Sequence, residues 1–177
     1  MNHADHVNLL RPANLASGGT WADLGAGSGA FTLALRELVG PEATIYAVDR
    51  DRAALRRLEA AHRARFASAG GLIPLRHDFS GPFDVPPLDG IVMANSLHYY
   101  KDKERVLRHV REFLKPQGIL LLVEYNVDSG NIWVPQPLSF KSYRSIARRA
   151  GFSEPRLLAT APSSFLQEFY SALAYKT

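Results

Sequence analysis

The sequence predicts an α/β fold, with a largely parallel sheet covered by helices on both faces and an antiparallel hairpin at the C-terminal end. Apolar runs and helical patterns alternate from residue 20 onwards, which is typical of βαβ units. The last two strand-like segments are separated by a link too short to hold a crossover helix, so they should be antiparallel neighbours. These two observations define the fold class.

The first half of the chain contains three predicted strands and two predicted helices. In order they are a strand at 21–24, a helix at 31–39 that ends at Gly40-Pro41, a strand at 43–48, a helix at 52–67 before Gly70-Gly71, and a strand at 72–77. Glycine and proline pairs are strong stop signals for helices. Pro74 cannot donate a ladder hydrogen bond, so the third strand is expected at a sheet edge.

The second half continues the alternation and then changes character. In order it contains a loop at 81–87, a strand at 89–94, a helix at 102–114, a turn at 115–118, a strand at 119–124, a loop at 126–137, a helix at 140–150, and strands at 156–160 and 168–176. Segment 119–124 is the most hydrophobic run in the chain and is therefore predicted as the central strand. Segment 162–164 is the short polar link of the hairpin.

Composition limits the class of protein. A chain of 177 residues with 46% hydrophobic residues is expected to form one domain over 1–177. It has no apolar run of ~20 residues, no signal-peptide pattern and no cysteine, so we expect a cytoplasmic protein with no membrane partner, no disulfide and no thiolate chemistry. The net charge of +4 is concentrated in residues 50–66. A solvated helix face is favoured there over a nucleic-acid surface, which is not excluded.

A glycine-rich turn after the first strand is the main functional motif. Gly25-x-Gly27-x-x-Ala30, with Asp49 at the end of the next strand, satisfies the dinucleotide-binding fingerprint. However, Asp23 precedes the first glycine by two residues, where a negative charge favours a cationic ligand over a pyrophosphate. Asp78, after the third strand, could accept a hydrogen bond from an exocyclic amine of a purine.

The ordered set of these acids and glycines resembles the class I S-adenosylmethionine-dependent methyltransferases. The set is Asp23-x-Gly25-x-Gly27-x-Gly29, then Asp49, then Asp78, then the strand 89–95. The likeness extends from about residue 20 to the C-terminus and includes the closing hairpin. It implies a Rossmann-like, seven-stranded, mostly parallel sheet with a reversed last strand, and S-adenosylmethionine as the cofactor.

The resemblance also implies a set of cofactor-binding residues. They are Asp23, Gly25, Ala26, Gly27, Gly29, Asp49, Arg50, Asp78, Phe79 and Asn95. Asp23 would face the methionine ammonium, the glycine loop would pack on the ribose and methionine, and Asp49 would accept both ribose hydroxyls. Arg50, Asp78 and the Phe79 backbone would meet the adenine, and Asn95 the methionine end. Alternatively, Asp49 simply ends a strand and Asp78 caps a turn.

Catalytic candidates follow the fourth and fifth strands, whose carboxyl ends line the crevice in such sheets. They are His98, Tyr99 and Tyr125. His98 would act as a general base because its ordinary pKa is near neutrality, and aromatic faces would attract a sulfonium. For His98 the competing interpretation is a histidine without a catalytic role, and for Tyr99 packing is favoured over reaction. His3 and His6 are interpreted as incidental residues on a mobile terminus, and no residue cluster suggests a metal.

The methyl acceptor is expected to be a small molecule. Methyl transfer to RNA or protein, a non-catalytic cofactor-binding protein and, more remotely, an NAD-binding oxidoreductase are the alternatives. The Asn-Pro-Pro-Tyr signature of base-amine methyltransferases is replaced by Asn95-Ser96-Leu97-His98. Residues 1–18 are expected to form a short cap together with loop 126–138, unless a large substrate or the partner of a homodimer covers the site.

Overall fold

A single mixed sheet of seven strands organises the protein in the computed structural model, which describes residues 1–67 and 70–177. The strands are β1 (Thr20–Leu24), β2 (Thr44–Asp49), β3 (Leu72–Arg76), β4 (Leu88–Ala94), β5 (Leu114–Tyr125), β6 (Arg156–Pro162) and β7 (Glu168–Tyr175). Their order across the sheet is β3-β2-β1-β4-β5-β7-β6. β7 pairs antiparallel with β5 and with β6, and the other neighbouring strands pair in parallel, which confirms the predicted fold class and hairpin.

The helices form two layers on opposite faces of the sheet. They are α1 (His3–Leu10), α2 (Ala30–Val39), α3 (Arg52–Arg65), α4 (Lys103–Glu112) and α5 (Phe140–Arg149). One core joins α1 and α2 to strand residues such as Trp21 and Ile45, and Ala47 on the same face of β2 packs against α3. The other core joins α4 and α5 to residues such as Ile91 and Leu122. Both faces of the sheet are therefore buried.

Helix ends lie close to the predicted boundaries because local capping residues set them. Asp51 accepts hydrogen bonds from the backbone of Ala53 and Ala54 and starts α3. Asp102, predicted as the first helical residue, is instead the cap of α4 and accepts from the Arg105 backbone. Each cap satisfies backbone donors that the first helical turn leaves unpaired.

One prediction about the strands is confirmed and two are wrong. β3, which contains Pro74, lies at the sheet edge as predicted. The predicted turn 115–118 is instead an irregular part of β5, because the pairing with β4 jumps from Leu88–Leu114 to Gly90–Ile119. The prediction that 119–124 is the central strand is wrong. β4 has three strands on each side, and β5 is hydrophobic because it too has a neighbour on both edges.

No helix among residues 1–67 and 70–177 is both long and apolar enough to cross a membrane.

Gly90 in β4 offers a direct test of the packing. A Cβ atom there would lie 2.2 Å from a ring carbon of Trp21, so we expect Gly90→Ala to destabilise the protein by about 1–3 kcal/mol through overpacking. Urea unfolding of the variant measures this. Gly81→Ala is the matched control, since its Cβ would meet nothing closer than 3.7 Å. Equal stability of the two variants would contradict the packing described.

Candidate functional site

A cleft opens at the carboxyl ends of the central parallel strands, where ligands bind in open α/β sheets. It consists of two adjoining hollows, which share Gly25, Asp49, Asn95 and Tyr99 in their walls. The first, the aromatic half, is also lined by Arg50, His77, Asp78, Phe79, Ser96 and Tyr100. The second, the glycine half, is also lined by His6, Asp23, Ala26, Gly27, Ser28, Ala30, Phe31 and Ala94.

The three glycines of the loop after β1 have different tasks. A Cβ on Gly25 would lie 2.4 Å from the Cβ of Ser96, so this glycine allows the loops after β1 and β4 to touch. A Cβ on Gly29 would lie 2.6 Å from Leu58 of α3, which makes Gly29 a packing residue. Gly27 has φ +52° and open space where its Cβ would stand. Gly27 is therefore the glycine whose absent side chain leaves room in the cleft.

Asp49 joins the two halves of the cleft. Its Oδ2 accepts a hydrogen bond from the backbone N–H of Gly27 at 2.8 Å, and its Oδ1 accepts from Asp51 N–H at 2.8 Å. Each carboxylate oxygen can accept a further bond. The side chain thus holds the glycine loop in place and retains acceptor capacity.

Asp23 is a buried acid in the wall of the glycine half. It is 1% exposed and accepts a hydrogen bond from the Thr32 hydroxyl at 2.6 Å. Burial raises its pKa to about 7, with Asp49 adding to the rise and the Thr32 hydrogen bonds opposing it. Because this pKa lies near neutrality, a cation placed beside Asp23 would determine whether the carboxyl group is charged.

Asp78 caps a turn and also lines the cleft, while its predicted role toward a ligand stays a prediction. Its Oδ1 accepts from the backbone and hydroxyl of Ser80 and from the hydroxyl of Tyr100, which is the predicted turn cap. Among residues 1–67 and 70–177, its Oδ2 meets only the Arg50 guanidinium, at 3.5 Å, and the residue lines the aromatic half. Beside it the Phe79 ring packs against Tyr100 at 5.2 Å between centroids. This corner offers an apolar wall with an acceptor at its edge.

Asn95 is an unusual residue between the two halves. It adopts a left-handed backbone with φ +53°, which is uncommon for a residue other than glycine. Its Oδ1 is buried and has no hydrogen-bond partner among the described residues. A buried unpaired acceptor is costly, so this atom points to a donor supplied from outside the chain.

His98 forms a buried pair with Glu124, a residue given no site role from the sequence. Its Nδ1 lies 2.8 Å from Glu124 Oε2, and Glu124 Oε1 accepts from the backbone N–H groups of Leu97 and His98. The two residues are 2% and 0% exposed. The Tyr99 ring covers the imidazole at 4.4 Å, and Tyr125 lies 6.1 Å away. His98 Nε2 has no partner in the described part of the chain.

The structure brings together most of the predicted site residues, whose roles stay predictions. Those that line the cleft are Asp23, Gly25, Ala26, Gly27, Asp49, Arg50, Asp78, Phe79, Asn95 and Tyr99. Gly29, His98 and Tyr125 are not among the residues that line either half. Gly29 packs on α3, and His98 and Tyr125 lie with the Tyr99 ring near them.

His6 lines the cleft but was missed from the sequence, whereas Ser96, which also lines it, lies in the segment after the fourth strand where candidates were expected. The interpretation of His6 as incidental on a mobile terminus is wrong, because α1 packs against α2 and its residues Val7, Leu9 and Leu10 are buried. The pattern of apolar and polar residues in so short an N-terminal segment does not predict that it packs against α2.

Comparison with known proteins gives consistent results. Residues 22–120 match the family described as a methyltransferase domain. Acetylserotonin O-methyltransferase of Mus musculus is 35% identical over an alignment that covers 76% of this chain and 39% of that protein. Arsenite methyltransferase of Aquipseudomonas alcaligenes is 30% identical over an alignment that covers 95% of this chain and 53% of that protein.

A solved structure shares the fold. Human N-acetylserotonin methyltransferase in complex with S-adenosylmethionine superposes with a TM-score of 0.72 at 20% identity, over 97% of this chain and 51% of that one. The chain therefore spans between about two fifths and about half of the length of these relatives.

The raised pKa of Asp23 predicts a pH-dependent stability difference. Between about pH 4 and 7 the folded protein holds a proton that the unfolded chain has lost, so the stability contributed by Asp23 falls as pH rises across this range and levels off above about 7. We expect Asp23→Asn to be more stable than the parent at pH 8 by about 2–4 kcal/mol, an order-of-magnitude figure, with a smaller gain at pH 5.

Urea unfolding at both pH values measures this difference. Asn can still accept the Thr32 hydrogen bond, so the variant removes mainly the charge. Asp84→Asn, at an exposed position, is the control and should show no such pH-dependent gain. A stability gap for Asp23→Asn that does not grow with pH would contradict the assignment.

Proposed function

Because the chain belongs to the class I S-adenosylmethionine-dependent methyltransferases, we propose that it binds S-adenosylmethionine in this cleft and methylates a small-molecule acceptor. The observation that carries the proposal is the convergence of Asp23 and Asp49 on a glycine loop with open space at Gly27. Family membership argues against the dinucleotide interpretation of the same glycines. Both the methyltransferase activity of this chain and its acceptor are proposed, because the chain spans only part of the length of its relatives.

The residues of the cleft fit this methyl donor. When bound, S-adenosylmethionine supplies an electrophilic methyl group on a positively charged sulfur. Asp23 matches the ammonium group, and Asp49 has a free acceptor position on each oxygen for the two ribose hydroxyls. Asn95 Oδ1, buried without a partner in the described structure, gains a donor from the ligand. A nucleotide with a cationic amino-acid end satisfies all three residues.

The aromatic half suits the adenine. Phe79 and Tyr100 supply apolar surface, and Asp78 Oδ2 faces the same hollow with only a long contact to Arg50. An exocyclic amine is the donor that this carboxylate would accept. Tyr99 lines both halves and is 60% exposed, so its ring face is available to a positive sulfur.

His98 is proposed as the general base. Glu124 is an acceptor at Nδ1, so the neutral imidazole carries its proton there and leaves the lone pair on Nε2. Glu124 thereby sets the tautomer and orientation of the ring. The acceptor must reach Nε2 past the Tyr99 ring and must carry a proton to lose, as a hydroxyl group does. Tyr125 contributes by packing beside the imidazole.

The absence of cysteine from the sequence narrows the class of methyl acceptor. Two relatives are named for acetylserotonin and for arsenite. The sequence contains no cysteine, so these 177 residues cannot hold arsenic on thiolates. A small molecule with an ionisable hydroxyl group is the acceptor that the His98–Glu124 pair serves best.

Isothermal titration with S-adenosylhomocysteine tests the cofactor site. We expect binding to the parent protein, none to NAD, and an affinity about 100-fold lower for Asp49→Ala, because two charge-assisted hydrogen bonds are lost. Thermal unfolding of the ligand-free variant checks that the loop remains folded. Asp84→Ala is the control. Unchanged affinity in a folded Asp49→Ala protein would overturn the site.

Homocysteine release from a panel of hydroxyl-bearing acceptors tests the chemistry. Once an acceptor is found, we expect His98→Ala to lower kcat by about 100- to 10,000-fold with unchanged S-adenosylhomocysteine affinity. Glu124→Gln should lower kcat as well, because its amide can still accept from the backbone but donates toward Nδ1 and forces the wrong tautomer. A His98→Ala protein with full kcat would refute the base.

A further inference from the structure

The first helix forms a fixed wall of the cleft. The Ser171 hydroxyl in β7 donates to the backbone carbonyl of Leu9 at 2.6 Å, and His3 contacts Glu37 of α2 at 2.7 Å. Val7, Leu9 and Leu10 are buried in the core shared with α2. Contacts with α2, β6 and β7 therefore hold α1 on three sides.

His6 is the residue that α1 places in the glycine half. Its ring meets Phe31 edge-on at 4.8 Å between centroids, and it lines the same hollow as Asp23 and Gly27. It is half-buried. Among the described residues that line the glycine half, His6 is the only side chain that can carry a positive charge.

The glycine loop has few free donors for an anionic group. Four of its backbone N–H groups already donate within the protein: Gly25 and Ala26 to the Val48 carbonyl, Gly27 to Asp49, and Gly29 to the Ala26 carbonyl. Loops that cradle anions do so with free N–H groups. The N–H groups of Ser28, Ala30 and Phe31 beside the loop have no acceptor within the described protein. A carboxylate in this half, which already holds two acids, would gain a further and cationic donor from a side chain.

We propose that His6 binds the carboxylate of the amino-acid end of S-adenosylmethionine. The inference rests on the proposed function, since it concerns the same ligand. Asp23 matches the ammonium of that amino acid, and His6 on the facing helix supplies the donor for its carboxylate. The zwitterionic end is then held between β1 and α1, and His6 makes α1 part of the cofactor site.

Two ligands that differ only in the carboxylate provide the test. S-adenosylmethionine and decarboxylated S-adenosylmethionine are titrated into the parent protein and into His6→Ala, His6→Gln and His3→Gln. We expect His6→Ala to weaken S-adenosylmethionine about 10- to 100-fold, the value of a charge-assisted hydrogen bond. Decarboxylated ligand should bind the parent and His6→Ala within about twofold of each other.

The control variants separate binding from folding. His3 lies on the same helix and contacts Glu37, so His3→Gln should leave both affinities unchanged. His6→Gln keeps a donor without a charge and should weaken S-adenosylmethionine less than His6→Ala does. Thermal unfolding identifies any variant in which α1 has come loose.

The outcomes also distinguish a failure of this inference from a failure of the proposed function. If neither ligand binds the parent protein, the proposed function fails. If the parent binds S-adenosylmethionine and His6→Ala binds it equally well, only the role of His6 is overturned. Equal weakening of both ligands by His6→Ala would likewise overturn it, because the lost contact would then not involve the carboxylate.

Discussion

The contact between the loops after β1 and β4 is the constraint on which the cleft depends. Gly25 and Ser96 approach so closely that a Cβ on Gly25 would lie 2.4 Å from the serine Cβ, and the Ser96 hydroxyl donates to the Leu24 carbonyl at 2.7 Å. This contact brings Asn95 beside the glycine loop and Asp49, so the same residues form the floor of both hollows. A side chain at position 25 would separate them.

Electrostatic strain is concentrated on the same floor. Asp23 and Asp49 share the glycine half, and their mutual repulsion adds to the effect of burial on Asp23. In the free protein this arrangement costs stability, because a buried carboxyl group lacks a counter-charge. A cationic ligand removes that cost, so part of the binding free energy comes from relief of the protein's own strain.

The sequence predicts the parts of the structure that local patterns control. The acids Asp23 and Asp49 end apolar strands, and parallel pairing necessarily brings strand ends together at one edge. The burial of His98 was not predictable, because it depends on Glu124, 26 residues away. The position of His6 depends on the hydrogen bond from Ser171 to Leu9, two residues that are 162 positions apart in the sequence. The irregular pairing near Gly90 follows from a register shift, which composition does not reveal.

The hydrogen bond between Leu9 and Ser171 has a consequence for how the protein folds during translation. The strands that carry the glycine loop and Asp49 precede β6 and β7 in the chain, but α1 docks on both of these later strands as well as on α2. Until β6 and β7 have been synthesised, α1 has α2 to pack against but lacks the Ser171 hydrogen bond. The acids and glycines of the cleft are therefore made before the wall formed by α1 has all of its supports.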